Sequence, residues 1–220
     1  MIDHCSPKQT LALPDIVFAS SIDEVDFVDW NKIVEEKNIY LTIPYLKALE
    51  SSLPAYDFRY FSFYANDEII GIGYCQIIKI TSNEINAQEL SKRMGGMLPK
   101  SLINNIDLRI LICGNAFASG ENGFLFNDEI VKQRGLTFLT RAIDEVHLRE
   151  KKAGNKIAVT LIKEFWPESF NDVSFLKDTG CSEVNIDVNM VLRLQEDWTS
   201  FEDYLSAMTS KFRTKAKHVL

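Results

Sequence analysis

The stretch GNAFASGENG at 114–123 gathers three glycines with Asn115, Ser119 and Asn122. Glycine tolerates positive φ and can turn backbone N–H groups toward a ligand, while Asn and Ser add neutral hydrogen-bonding groups. The apolar run LRILIC at 108–113 reads as a buried strand ahead of it, and 127–152 reads as a long amphipathic helix behind it. That order predicts free N–H groups at a strand end beside a helix N-terminus, a setting suited to an anion such as a pyrophosphate. Gly114, Asn115, Ser119 and Gly120 are the candidate cofactor-binding residues of this corner. Glu121 acts against it, because a carboxylate repels a phosphate. The same order also serves as a plain strand–loop–helix connection.

Other chemistries find little footing. Cys5, Cys75, Cys113 and Cys181 are scattered with no C-x-x-C pair, which suits reduced, buried thiols in a cytoplasmic protein. His4, His147 and His218 are far apart in the chain, so neither a histidine-based triad nor a metal cluster is expected. A formal charge of −7 argues against a general nucleic-acid scaffold. One basic run stands out, Lys211, Arg213, Lys215 and Lys217, whose i,i+4 pairs fall on nearly opposite helix faces. It reads as a solvated helix end, with a phosphate or tRNA contact as the other reading. No apolar run approaches the roughly 18 residues of a membrane span, and the N-terminus has no secretory pattern.

The elements that must position these groups follow from periodicity and punctuation. With 220 residues, 46% of them hydrophobic, the chain can bury a sizeable core. A strand at 16–19 is followed by a helix from Ser20 or Ser21 to about Lys37, with Val25, Val28, Ile33 and Val34 as its core stripe. Pro44 opens a second helix at 44–52. Strands at 58–64 and 69–80 flank the turn residues Asn66 and Asp67, and Gly71 and Gly73 mark a bulge or a close backbone approach. A helix is expected at 86–93, then Gly95, Gly96 and a connection containing Pro99. Strand 156–162, helix 170–179 stopped by Gly180, and an alternating strand at 186–194 complete the sheet. Thr199 or Ser200 caps a closing helix with Phe201, Tyr204, Leu205, Met208 and Phe212 on its apolar stripe. The sum is a mixed α/β sheet with an antiparallel hairpin early and a crossover unit late.

This order resembles the GNAT acyltransferase fold, and several phrases are similar to bacterial GNAT-like proteins of the FemAB and peptidoglycan-biosynthesis group. They are LTIPYLKALE at 41–50, IIGIGY at 69–74, CGNAFASG at 113–120, FEDYL at 201–205 and SKFRTK at 210–215. The resemblance implies a mixed, mostly antiparallel twisted sheet flanked by helices over 1–195, then a linker helix at 196–220 leading toward a second GNAT-like half. It implies an acyl-CoA-dependent N-acyltransferase or an aminoacyltransferase-like protein using acetyl-CoA or another acyl-CoA, without a metal. The acceptor would be a small molecule or a cell-wall precursor, and this chain the acceptor-side half. A non-catalytic interaction module that has lost cofactor binding is the alternative. In such enzymes a Gln/Arg-x-x-Gly-x-Gly/Ala loop holds the CoA pyrophosphate. The nearest text here is Gln133, Arg134 and Gly135, which has a single glycine; Val131, Gly135, Phe138 and Ala142 share a helix face, so Gly135 also suits close helix packing. Tyr74, Gln76 and Glu164 are the candidate catalytic residues. They would face a wedge expected where strands 108–113 and 157–162 diverge near Cys113 and Ile162.

Overall fold

The computed structural model describes residues 13–35, 38–81, 107–184 and 192–218. The helix expected at 86–93, Gly95, Gly96, Pro99, Cys5, His4 and most of the strand expected at 186–194 lie outside them. Two compact units divide at Thr179 and Gly180.

In the first unit the aromatic, β-branched runs form a hairpin. Strand β2 (Asp57–Ala65) returns as β3 (Glu68–Thr81) through Asn66 and Asp67, both at positive φ (53° and 63°), as a tight hairpin turn requires. Strand β1 (Asp15–Ala19) lines the outer edge of β2, antiparallel. On its other side β3 pairs antiparallel with both β4 (Asp107–Cys113) and β5 (Phe124–Phe126), a short strand absent from the sequence reading. The two therefore run end to end along β3, and residues 114–123 are an excursion between them. Strand β6 (Ile157–Ile162) adds parallel to β4, giving the order β1–β2–β3–β4–β6. The expected mixed, mostly antiparallel sheet flanked by helices is present. Among the described residues its single parallel pairing, β4 with β6, is bridged by a crossover helix, as the order of elements implied.

Helices cover both faces. The helix expected from 20 or 21 to 37 is two elements: a 3₁₀ turn at Ile22–Glu24 capped by Ser21, then α1 (Phe27–Val34). Asp26 sets the later start, its carboxylate accepting from the N–H groups of Val28 (2.9 Å) and Asp29 (3.1 Å). Moving the start changes the buried stripe. Trp30, Ile33 and Val34 are buried, whereas Val28 is 71% exposed. Helix α2 (Ile43–Ser52) begins with its proline in the first turn, as expected. With α1 it packs over Phe58, Tyr60, Ile72 and Tyr74. Trp30 Nε1 donates to the Leu41 carbonyl (2.7 Å), and Tyr60 Oη donates to Glu50 (2.8 Å).

The opposite face belongs to α3 (Lys132–Lys152), whose Leu136, Phe138, Leu139, Ala142, Ile143 and Val146 pack on Phe61, Phe63, Cys75, Ile77, Leu111 and Cys113. Glu150 near its C-terminal end is buried against Arg59, with Arg109 3.7 Å away. The expected helix 170–179 is a single turn, α4 (Phe170–Val173), between 3₁₀ turns at Pro167–Ser169 and Ser174–Lys177.

In the second unit the closing helix is broken. Helix α5 (Phe201–Ala207), with a capping box between Ser200 and Asp203, ends where Met208 and Thr209 turn extended (ψ 149° and 152°), and α6 (Ser210–Lys217) follows. Leu205 is buried while Phe201 and Phe212 are about half exposed, so the stripe is interrupted. Leu192–Leu194, the described end of the strand expected at 186–194, is not in a strand.

Candidate functional site

The excursion 114–123 is held at both ends by one residue of β3. Gly114 N–H donates to the Tyr74 carbonyl (3.1 Å), and Tyr74 N–H donates to the Gly123 carbonyl (2.9 Å). A loop whose ends meet in this way is an Ω-loop. Asn115, 2% exposed, folds its first half inward. Its Oδ1 accepts from Phe117 N–H (2.7 Å) and Ala118 N–H (3.0 Å), and its Nδ2 donates to Tyr45 Oη on α2 (2.6 Å). Ala116 N–H donates to Gln76 Oε1 (2.8 Å). Outside, Phe117 stacks on Tyr56.

The second half is tied by charged groups, Glu121 of the loop itself and Glu164, Lys163 and Lys132 from beyond it. Glu164, just beyond β6, sits at φ +59° and accepts from Gly120 N–H (2.7 Å). Burial pushes its carboxyl up, but the Lys163 ammonium and the Gly120 N–H outweigh this and carry it below its ordinary range. Lys163 Nζ pairs with Glu164 (2.8 Å) and donates to the Ala118 carbonyl (3.0 Å). Glu121 accepts from Trp166 N–H (2.8 Å) and from the Ser169 hydroxyl, and pairs with Lys132 at the start of α3. Gly120 (φ +97°) has no room for a side chain, since a Cβ would lie 2.7 Å from Trp166 Cζ2.

The sequence-derived candidates therefore separate into groups. Gly114, Asn115, Ser119 and Gly120 lie in the excursion, with Tyr74 and Gln76 at its base and Glu164 at its outer half. Gln133, Arg134 and Gly135 lie apart, in the first turn of α3. That helix starts at Lys132 rather than 127, and β5 with the turn after it stands between the loop and the helix; the expected strand–loop–helix corner is not formed. Gly135 N–H is already bonded to the Val131 carbonyl (3.1 Å), and a Cβ on Gly135 would lie 2.6 Å from Phe126 Cδ2. Its use is close packing. The expected wedge is also absent: β4 and β6 stay paired from Arg109 and Ile157 through to Cys113 and Ile162.

An acyl-CoA fits this region poorly. The Gly120 N–H that would turn to a pyrophosphate already serves Glu164, and Glu121 places a second carboxylate in the same loop. Lys132 and Lys163 are engaged by those carboxylates. Among the described residues no group of three or more His, Cys, Asp and Glu side chains could hold a metal ion, and no helix is long and apolar enough to cross a membrane. Two open grooves, about 450 and 260 Å³, lie along β1 and α3 at the other edge of the sheet, among Phe18, Arg149 and their neighbours. They hold none of the candidates. Lys163, Lys132, Tyr45 and Ser169 were not singled out from sequence. All but Lys132 lie far along the chain from the loop residue they hold, and only the acid at position 121 hinted that the loop needs donors.

No protein-family model matches the chain, and no curated protein does. Among solved structures it is similar to the crystal structure of a possible acetyltransferase from Clostridium difficile 630. The identity is 12%, 84% of this chain and 100% of that one are covered, and the TM-score is 0.41. A likeness at that level carries no argument about activity.

Proposed function

We propose that this chain belongs to an acyl- or aminoacyl-transferring protein of the FemAB-like kind, in which it serves the acceptor side and does not itself hold an acyl-CoA. The observation that carries the reading is the engagement of the 114–123 loop by Glu121 and Glu164. A strand–excursion–helix–strand order is present, yet its N–H groups are spent on Glu164, Gln76 and Asn115 and its lysines on Glu121 and Glu164. On this reading the thioester is supplied by a second GNAT-like domain or by an aminoacyl-tRNA, and the acceptor is a small molecule or cell-wall precursor bearing an amine. Gln76 and Tyr74 then belong to acceptor recognition.

The test is a ligand-dependent unfolding series. Binding to the folded state raises the midpoint with ligand concentration, by about 2.7 kcal/mol of stabilisation at a hundredfold excess over Kd. Acetyl-CoA and CoA at millimolar concentration are expected to leave the midpoint unmoved; a concentration-dependent rise overturns the proposal. The pairing of β4 with β6 out to Cys113 and Ile162 favours a second reading, a non-catalytic interaction module of this fold. Calorimetry with amine-bearing cell-wall precursors separates the two, since the module predicts no heat of binding.

A further inference from the structure

Tyr74 and Gln76 point to the α2 face of the sheet beneath the first half of the Ω-loop, and both are fully buried. Gln76 Nε2 has no hydrogen-bond partner, and Tyr74 Oη has only the Asn115 side chain near enough to interact, outside good hydrogen-bond geometry. Leaving a buried polar group unpaired costs about 1–3 kcal/mol, so two such groups under one loop call for an explanation. Their chemistry is set by their neighbours. Gln76 Oε1 is occupied by Ala116 N–H, which fixes the orientation of the amide and leaves Nε2 with its donors free. Asn115 is oriented in the same way by two backbone N–H groups, so its Nδ2 must donate to Tyr45 Oη, and Tyr45 keeps its own proton to give. Burial beside Tyr45 holds the Tyr74 hydroxyl protonated well above the ordinary tyrosine range, so it too is a donor. The unspent capacity of this cluster is thus neutral, and apart from the lone pairs of the tyrosine hydroxyls it is donor capacity. The charged groups nearest the loop, Lys163 with Glu164 and Lys132 with Glu121, are paired with each other.

We infer that Gln76 Nε2 and Tyr74 Oη, covered by residues 115–118, form a binding site for an uncharged carbonyl oxygen, that of a carboxamide or other amide, which enters when the loop lifts. An ammonium group finds only phenolic lone pairs there, and a carboxylate finds no cation other than Lys163, which is paired with Glu164. The loop is suited to lift as a unit. Its ends are fastened to Tyr74 at Gly114 and Gly123, and its first half is held by Ala116 N–H to Gln76, Asn115 to Tyr45, Lys163 to the Ala118 carbonyl and the stacking of Phe117 on Tyr56. This inference deepens the acceptor-side reading above and rests on it for the identity of the ligand as an acceptor, though the site is argued from its own atoms.

The experiment is ¹H–¹⁵N NMR of the folded chain titrated with N-acetylglycinamide, with sodium acetate and methylammonium chloride at equal ionic strength as controls. The Gln76 side-chain amide and the backbone amides of Gly114 and Ala116 are expected to shift saturably with the neutral amide, at least tenfold more tightly than with either ion. Tyr74→Phe, which keeps the ring, is expected to weaken binding fivefold or more while the thermal midpoint stays level or rises; Gln76→Met is expected to weaken it as much but with a lowered midpoint, because Ala116 N–H loses its acceptor. Absence of a saturable shift of the Gln76 amide overturns the inference. So does equal affinity for the ions, or unchanged binding in both variants. So does a water resonance at Gln76 Nε2 that the probe never displaces. A midpoint raised by acetyl-CoA would instead sink the acceptor-side proposal, leaving the amide result to stand or fall separately.

Discussion

Glu164 shows how one side chain reverses a functional expectation. From sequence it is a strand-end carboxylate facing a cleft; in the fold it is the clasp of the loop above that position. The clasp costs backbone strain, about 1 kcal/mol for a non-glycine residue in the left-handed region, and that is sustained only because Lys163, Gly120 and the strand end over-determine its place. Its pH dependence has a definite sign. The folded pKa lies below the ordinary 4.5, so the contribution to stability is whole above that value and is lost as pH falls through the lowered one. The Gly120 amide resonance is therefore expected to stay constant from pH 8 to about 5 and to move only in more acid solution, and Glu164→Gln to abolish the movement. A titration of that amide with a midpoint above 4.5 would contradict the clasp.

At the scale of elements, Phe126 decides how α3 meets the sheet. Its ring lies between two glycines. A Cβ on Gly71 of β3 would sit 2.2 Å from it, and one on Gly135 of α3 2.6 Å. Gly135→Ala tests the packing. Alanine gains about 1 kcal/mol over glycine in a helix, but overpacking costs typically 1–3 kcal/mol, so a net loss of about 1 kcal/mol is expected by urea unfolding. Gly135→Ala combined with Phe126→Leu should recover it, because the shorter side chain returns the space. A stabilised single variant would mean that α3 rides higher than described. Strands β2, β3, β4 and β6 and helix α2 were legible because alternation, a paired Asn–Asp turn and an early proline are local signals. The start of α3 was not. Asn127 resembles a cap, yet Asn127 N–H donates to the Ile70 carbonyl (3.0 Å), and the chain is committed to β3 before it can coil. Strand β5 escaped notice for a related reason: three residues carry no periodicity, and its existence depends on β3 having an open edge beyond Cys75.

For the whole molecule, the sheet separates two buried clusters, and the cysteines report on one of them. Cys75 and Cys113 face each other across β3 and β4 under α3, while Cys181 is exposed. Burial raises the Cys75 thiol well above its ordinary range, which keeps it protonated and unreactive. Ellman's reagent followed by peptide mass analysis is expected to modify Cys181 promptly in native buffer, and Cys75 and Cys113 only at the rate of unfolding. Prompt modification of Cys113 would show that the α3 face opens locally. This layered arrangement also divides what could be learned from each source. The residue order alone determined a mixed α/β sheet with an antiparallel hairpin and a late crossover, because apolar period and turn chemistry act over a few residues. It also located the loop at 114–123, since glycines and neutral polar groups cluster there in the chain. Only the tertiary structure decided what that loop does. Whether its N–H groups remain free for a ligand depends on Glu164 and Gln76, tens of residues away, and no local signal carries the energy of contacts that exist only after the sheet has assembled.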